Sequence, residues 1–170
     1  MNRLSAFMVP ATALLGVTLL AGQAFAQQKT LKEQIVGTWL AVSNVAMRPD
    51  GVKTESFGPN PKGTFMFESN GRVALLMMRP DLPKFASNNR ATGTAEENKA
   101  VVQGSNAYFG AYSVNEAEKS ITIQIEAATF PNWAGTTEKR LVAISGDELT
   151  VTGGVGSAGT TLEAKWKRAK

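Results

Sequence analysis

The chain has 170 residues, a formal net charge of +4, and neither histidine nor cysteine. Those two absences exclude cysteine nucleophiles, Ser-His-Asp triads, zinc fingers, histidine-ligated haem and iron–sulfur clusters. Carboxylates, tyrosines, arginines, lysines and hydroxyls are left for any chemistry, no metal or cofactor is expected, and so small a charge without a dense Lys/Arg block carries no nucleic-acid footprint.

The first element is a leader. Arg3 precedes an apolar, mostly small-residue run from Leu4 to Leu20 that ends in Ala24-Phe25-Ala26, the layout of a secretory signal peptide. Pro10, Thr12, Gly16 and Thr18 interrupt a run already shorter than the roughly 20 apolar residues that span a bilayer. The expectation is that residues 1–26 are cleaved and that residues 27–170 form one domain with no integral membrane segment. Without cysteine the new terminus takes no lipid, so the mature protein is expected in the periplasm or secreted.

Strands then follow in order, after a short helical turn at Thr30 to Gln34. Ile35 to Val45 is apolar and β-branched enough for a strand, with Gly37, Trp39 and Ala41 on its inward side. The breaker-rich stretch Phe57-Gly58-Pro59-Asn60-Pro61-Lys62-Gly63 is a connection. Asn70-Gly71, between Thr64–Ser69 and Arg72–Met78, predicts a two-residue type I′ hairpin. That register puts Phe65 and Phe67 on one face with Ala74, Leu76 and Met78, and Met66 on the other with Val73, Leu75 and Met77. Both faces are apolar, so one lines an interior and the other asks for a cover. Thr94 to Gly104, opening on the capping-box pair Thr94 and Glu97, supplies that cover as a short helix, with a dimer interface as the other way to bury the face.

Period-two patterning resumes in Ala107–Val114, Ser120–Thr129, Glu138–Ser145, Glu148–Thr152 and Thr160–Arg168. Ile121, Ile123 and Ile125 share a face, as do Leu162, Ala164, Trp166 and Arg168. Eight strands joined mostly by tight sequential turns, with one short helix between the third and fourth, read as an all-β, antiparallel up-and-down barrel.

Gly37-Thr38-Trp39 on the first strand and Trp166 with Arg168 on the last resemble the lipocalin signature. Four more stretches resemble the bacterial lipocalin-like domain family: Phe57 to Gly63, Met78-Arg79-Pro80 with Phe85-Ala86, Tyr108-Phe109-Gly110-Ala111-Tyr112, and Phe130-Pro131-Asn132-Trp133-Ala134-Gly135-Thr136. The resemblance implies that Gly37, Trp39, Trp166 and Arg168 close one end of the barrel, with the arginine stacked over the first-strand tryptophan. Family members often carry histidines on the strand leading to Phe-Pro-Asn-Trp, where this chain has Ile123 and Gln124.

The open mouth of such a cup is the default site, and the residues expected near it are Arg79, Tyr108, Tyr112, Glu126, Asn132 and Trp133. Arg79 ends a very apolar strand and suits an anionic group. The leading expectation is a protein, monomeric or weakly dimeric, that binds a small hydrophobic or amphipathic ligand. Two alternatives stand beside it. One is a cofactor-independent isomerase or cyclase using Glu126 as base and Tyr108 to steady an enolate. The other is a protein-binding module using the loops Pro80–Arg90 and Phe130–Thr136.

Overall fold

The computed structural model describes residues 29–155 and 159–170. The leader expected over residues 1–26 lies outside them, and no helix among the described residues is long and apolar enough to cross a membrane.

Among the described residues nine antiparallel strands form one sheet: β1 (Gly37–Met47), β2 (Lys53–Glu55), β3 (Lys62–Phe67), β4 (Arg72–Met78), β5 (Ser105–Asn115), β6 (Ser120–Ala128), β7 (Thr137–Ser145), β8 (Glu148–Val155) and β9 (Thr161–Arg168). From β3 to β9 each strand pairs with the next, and β1 pairs with both β3 and β9, so eight strands close into a barrel. The ninth, β2, pairs with the far end of β1 at Val45–Met47, beyond the point where β3 leaves it at Leu40. Its residues Lys53-Thr54-Glu55 are all exposed and carry no alternation, so nothing in the sequence marked them as a strand.

Inward residues fill the core. Trp39, Phe65, Phe67, Val73, Met77, Ile121, Ile123, Ile125, Leu149 and Trp166 are all essentially inaccessible. The first hairpin differs from expectation. Phe67 pairs with Val73 and Phe65 with Leu75, so these four point inward and Met66, Ala74 and Leu76 point out. The turn has three residues, Ser69-Asn70-Gly71: Gly71 has φ +89 whereas Asn70 is not in the left-handed region, so a type I′ turn is excluded. One extra loop residue moves the strand's partners by one place, which exchanges the two faces.

Helix α2 (Ala95–Gly104) begins at the predicted capping box, with the Thr94 side chain accepting from the Glu97 amide and the Glu97 carboxylate from the Thr94 amide. It does not cover the outward hairpin face. Phe85 lies against Gly93 and Leu82 against Gly104, so the preceding loop packs beside the helix. Leu76 and Met78 stay 38% and 37% exposed, and Phe109 47%.

The opposite end is closed by helix α1 (Leu31–Ile35), which buries Leu31 and Ile35. Arg168 lies over Trp39, its guanidinium carbon 4.1 Å from the ring centroid. The same guanidinium donates to the Gln34 carbonyl at 2.7 Å and the Val36 carbonyl at 3.1 Å, capping the end of α1 where carbonyls lack partners. The Trp39 indole donates to the Ile35 carbonyl at 2.8 Å. Gly37, at φ +126, is the residue that lets this happen: a Cβ there would sit 3.2 Å from the Arg168 Nη1. The start of α1 is tied down by Glu116 of the β5–β6 turn, whose carboxylate accepts from the Leu31 and Lys32 amides at 2.8 and 2.9 Å.

Two outcomes follow. Arg168→Ala removes the cation–π contact and both carbonyl bonds, and lowers stability by about 3 kcal/mol in urea titration, with α1 amides losing hydrogen-exchange protection. Glu116 is held below its ordinary 4.5 first by the Lys32 and then by the Leu31 amide. Its contribution is therefore complete above 4.5 and lost as the pH falls through the lowered folded value. The stability difference between wild type and Glu116→Gln, measured by urea midpoint, is expected at neutral pH and to close in acid.

Candidate functional site

Away from the α1 end the barrel encloses a cavity of about 700 Å³. Its walls are aromatic and aliphatic: Phe65, Tyr108 and Trp166 meet Leu75, Met77, Val151 and Ala164. Phe65 packs against Trp166 with centroids 5.3 Å apart and edge-on to Tyr108 at 6.4 Å. Arg48, Pro49, Thr54, Ser56 and Phe57 line it from the β1–β2 hairpin and the segment after it, so β2 forms part of its rim. Asn44, Asn106 and Arg140 bring polar atoms to the same space.

Backbone irregularities turn one of these polar groups inward and anchor another. In β1 the register shifts between Ala41 and Ser43, and Val42 is half exposed. Trp39 faces in before the bulge, and Asn44 and Ala46 face in after it, a phase that strict alternation from Trp39 forbids. In β8 the register shifts between Thr152 and Val155, where Gly153 and Gly154 have φ +92 and +74. The Gly153 carbonyl accepts from the Arg140 Nη1 at 3.0 Å. A Cβ on Gly154 would come within 2.4 Å of the Arg140 guanidinium carbon, so the glycine makes room for the cation.

Arg140 follows Glu138 on the inward side of β7, and their side chains are only 10% and 17% exposed. Glu138 Oε2 accepts from Arg140 Nη2 at 3.4 Å. The Arg140 Nε is buried without a partner, as are Asn44 Oδ1 and Trp166 Nε1, all on cavity-lining residues. Such orphans are uncommon in folded proteins, and these three all belong to residues that line the cavity. Burial pushes the Tyr108 hydroxyl up to about 12, with Arg140 lowering it and Glu138 raising it to lesser degrees. Tyr108 is therefore neutral at any physiological pH, a hydroxyl that both donates and accepts.

Of the six residues expected at the mouth, the structure brings Tyr108 to the cavity lining. Trp133, in a single 3-10 turn (Pro131–Trp133), packs edge-on against Tyr108 at 6.3 Å and buttresses it, while Asn132 is exposed. Tyr112 faces inward but sits beside Phe67, its hydroxyl donating to the Glu68 carbonyl at 2.9 Å, outside the cavity. Arg79 is exposed in the loop after β4, in a bidentate pair with Asp81 at 2.9 and 3.0 Å. Glu126 is the extra residue of a bulge where Phe109 and Gly110 oppose Ala127 and Ile125. It points outward and binds Arg72, which holds its carboxyl below the ordinary range. Glu126 and Tyr108 therefore lie on opposite faces of the wall, and the base–phenol pair of the isomerase reading is not assembled. Trp166, expected as a closing residue, lines the cavity itself, whereas Trp39, Gly37 and Arg168 form the closed end.

Arg140, Glu138, Asn44 and Asn106 were not singled out from sequence. Arg140 and Glu138 share parity with Val142 and Ile144, so a charged pair on the apolar phase of a strand was the available signal. Among the described residues there is no group of three or more acidic side chains placed to hold a metal ion.

A closed eight-stranded antiparallel barrel, plugged by a helix at one end and hollow at the other, is a cup of the lipocalin kind. The chain belongs to the lipocalin-like domain family, whose model matches residues 36–168. It is similar to the 4'-hydroxy-3'-methoxypropiophenone carrier protein of Aspergillus oryzae, 32% identical over 79 residues that cover 43% of this chain and 71% of that one. Among solved structures it is similar to a variant of the fluorescent protein UnaG, with a TM-score of 0.37 and 12% identity over 81% of this chain and 97% of that one.

Proposed function

We propose that the barrel binds and carries a small hydrophobic or amphipathic molecule, its apolar part between Phe65, Trp166 and Met77 and its polar end toward Arg140 and Tyr108. The observation that carries this reading is a cavity of about 700 Å³, within the size range of small-molecule sites, whose apolar walls converge on a few placed polar groups. The name of the Aspergillus oryzae relative, a carrier of a phenolic ketone, supports a ligand of that general size and polarity.

The test is a thermal-shift screen of aromatic alcohols, ketones and acids, fatty acids and isoprenoids. A ligand at about 100 times its Kd stabilises the folded state by about 2.7 kcal/mol, a shift of roughly 5–10 °C for a domain of this length. Ala46 lines the cavity and is 8% exposed. In Ala46→Phe the ring fills the cavity, so the shift is expected to vanish while the unliganded melting temperature stays within a few degrees of wild type. A screen without any shift sinks the reading.

We also propose that the chain is a bacterial, exported member of its family that works as a monomer or weak dimer, on the strength of Arg3, the apolar run and Ala24-Phe25-Ala26. Expression of the full chain in a bacterial host is expected to yield a periplasmic or secreted product whose N-terminal residue is Gln27. A cytoplasmic product that starts at Met1 overturns export.

A further inference from the structure

The polar end of the cavity is built from a cation that already has its anion. Arg140 and Glu138 stand two residues apart on β7, both inward and both at least four-fifths buried, with Nη2 and Oε2 3.4 Å apart. The pair is close to neutral as a unit. Its hydrogen bonding is incomplete, however. A guanidinium has five N–H donors, and here one goes to the Gly153 carbonyl and one to Glu138, while Nε is buried and unpartnered. Beside it the cavity offers the Tyr108 hydroxyl, the Asn44 and Asn106 amides and the Trp166 indole.

From this we infer that the barrel selects neutral aromatic molecules ending in a carbonyl or phenol oxygen over carboxylates of the same shape. The inference rests on the carrier reading above and deepens it. A carbonyl oxygen accepts from Arg140 and Tyr108 and leaves the buried charge at zero. A carboxylate accepts the same bonds but brings a second anion to a buried end with one cation, since Arg48 lines only the exposed rim and is paired with Asp50 at 3.1 Å, and Glu138 repels it through a medium of low dielectric. The aromatic preference comes from the walls, since the tilted Phe65 and Trp166 rings and the edge of Tyr108 present faces and edges to a planar ring. Glu138 is thus a specificity-determining residue that acts by setting the charge of Arg140's surroundings.

The test uses three ligands on one skeleton with no second polar end: a phenylbutanone, phenylpropionate and its primary amide. In calorimetric titration at neutral pH the wild type is expected to bind the ketone and the amide about tenfold or more tighter than the carboxylate, about 1.4 kcal/mol or more. In Glu138→Gln the carboxylate is expected to gain about tenfold, while the ketone changes by less than about threefold. Tighter binding of the carboxylate by wild type overturns the inference and leaves the carrier reading standing, as does a Glu138→Gln variant whose carboxylate affinity is unchanged. Binding of none of the three overturns the inference, and the carrier reading falls as well only if the wider screen is also empty. Should Glu138→Gln fail to fold, the wild-type comparison of amide with carboxylate decides, because those two differ in charge and hardly in shape.

Discussion

Arg168 lies across Trp39 and reaches the last carbonyls of α1, and this one contact joins the first strand, the last strand and the plug. Closing a sheet into a barrel requires β1 to find β9 across nearly the whole chain, a pairing whose loop-closure cost is met only when both ends are held in register. The β1–β9 ladder runs from Trp39 opposite Arg168 to Met47 opposite Thr161. With that seam fixed, Ile35 and Leu31 drop into the end of the barrel, and the tryptophan is wholly buried. The other end is then free to be hollow. The division of labour is physical: one end is packed to stabilise the fold, and the other leaves apolar surface facing a cavity.

Three bulges turn this regular wall into a site. The one at Val42 rotates Asn44 and Ala46 inward, the one at Glu126 throws a carboxylate outward onto Arg72, and the one at Gly153-Gly154 aims a carbonyl at Arg140. In the Glu126 bulge Gly110 is required by close approach, because a Cβ there would meet the Gln124 carbonyl oxygen at 1.9 Å. Each bulge changes which residues share a face without changing the strand order.

These same bulges mark where the sequence stopped being readable. Alternation put Ile121, Ile123 and Ile125 on one face of their strand and Trp166 on the apolar face of the last, both of which the structure turns inward, and Gly37-Thr38-Trp39 with Arg168 pointed to the closed end. Tyr108 was found because its strand alternates without interruption, Tyr108, Gly110 and Tyr112 all being buried. Asn44 was hidden because strict alternation from Trp39 puts it outside, whereas Glu126 lies outside just as alternation from Ile121, Ile123 and Ile125 requires, and its expected place at the mouth took the polar face of β6 for the inner one. In the first hairpin, Asn70-Gly71 signalled a turn but not its length, and the length decided which face was inside. Arg140 and Glu138 were visible as charges in an apolar phase, yet only the three-dimensional cavity gives that phase a meaning.

The anchor of the buried cation has a consequence for how such barrels diversify. Arg140 is steadied by a backbone carbonyl in a two-glycine bulge of the neighbouring strand. Loss of one glycine restores regular pairing there and withdraws that carbonyl. A single-codon deletion outside the set of pocket-forming side chains therefore alters the poise of the guanidinium. The setting of this cation is thus written partly in the backbone, in a place that a comparison of side chains alone passes over.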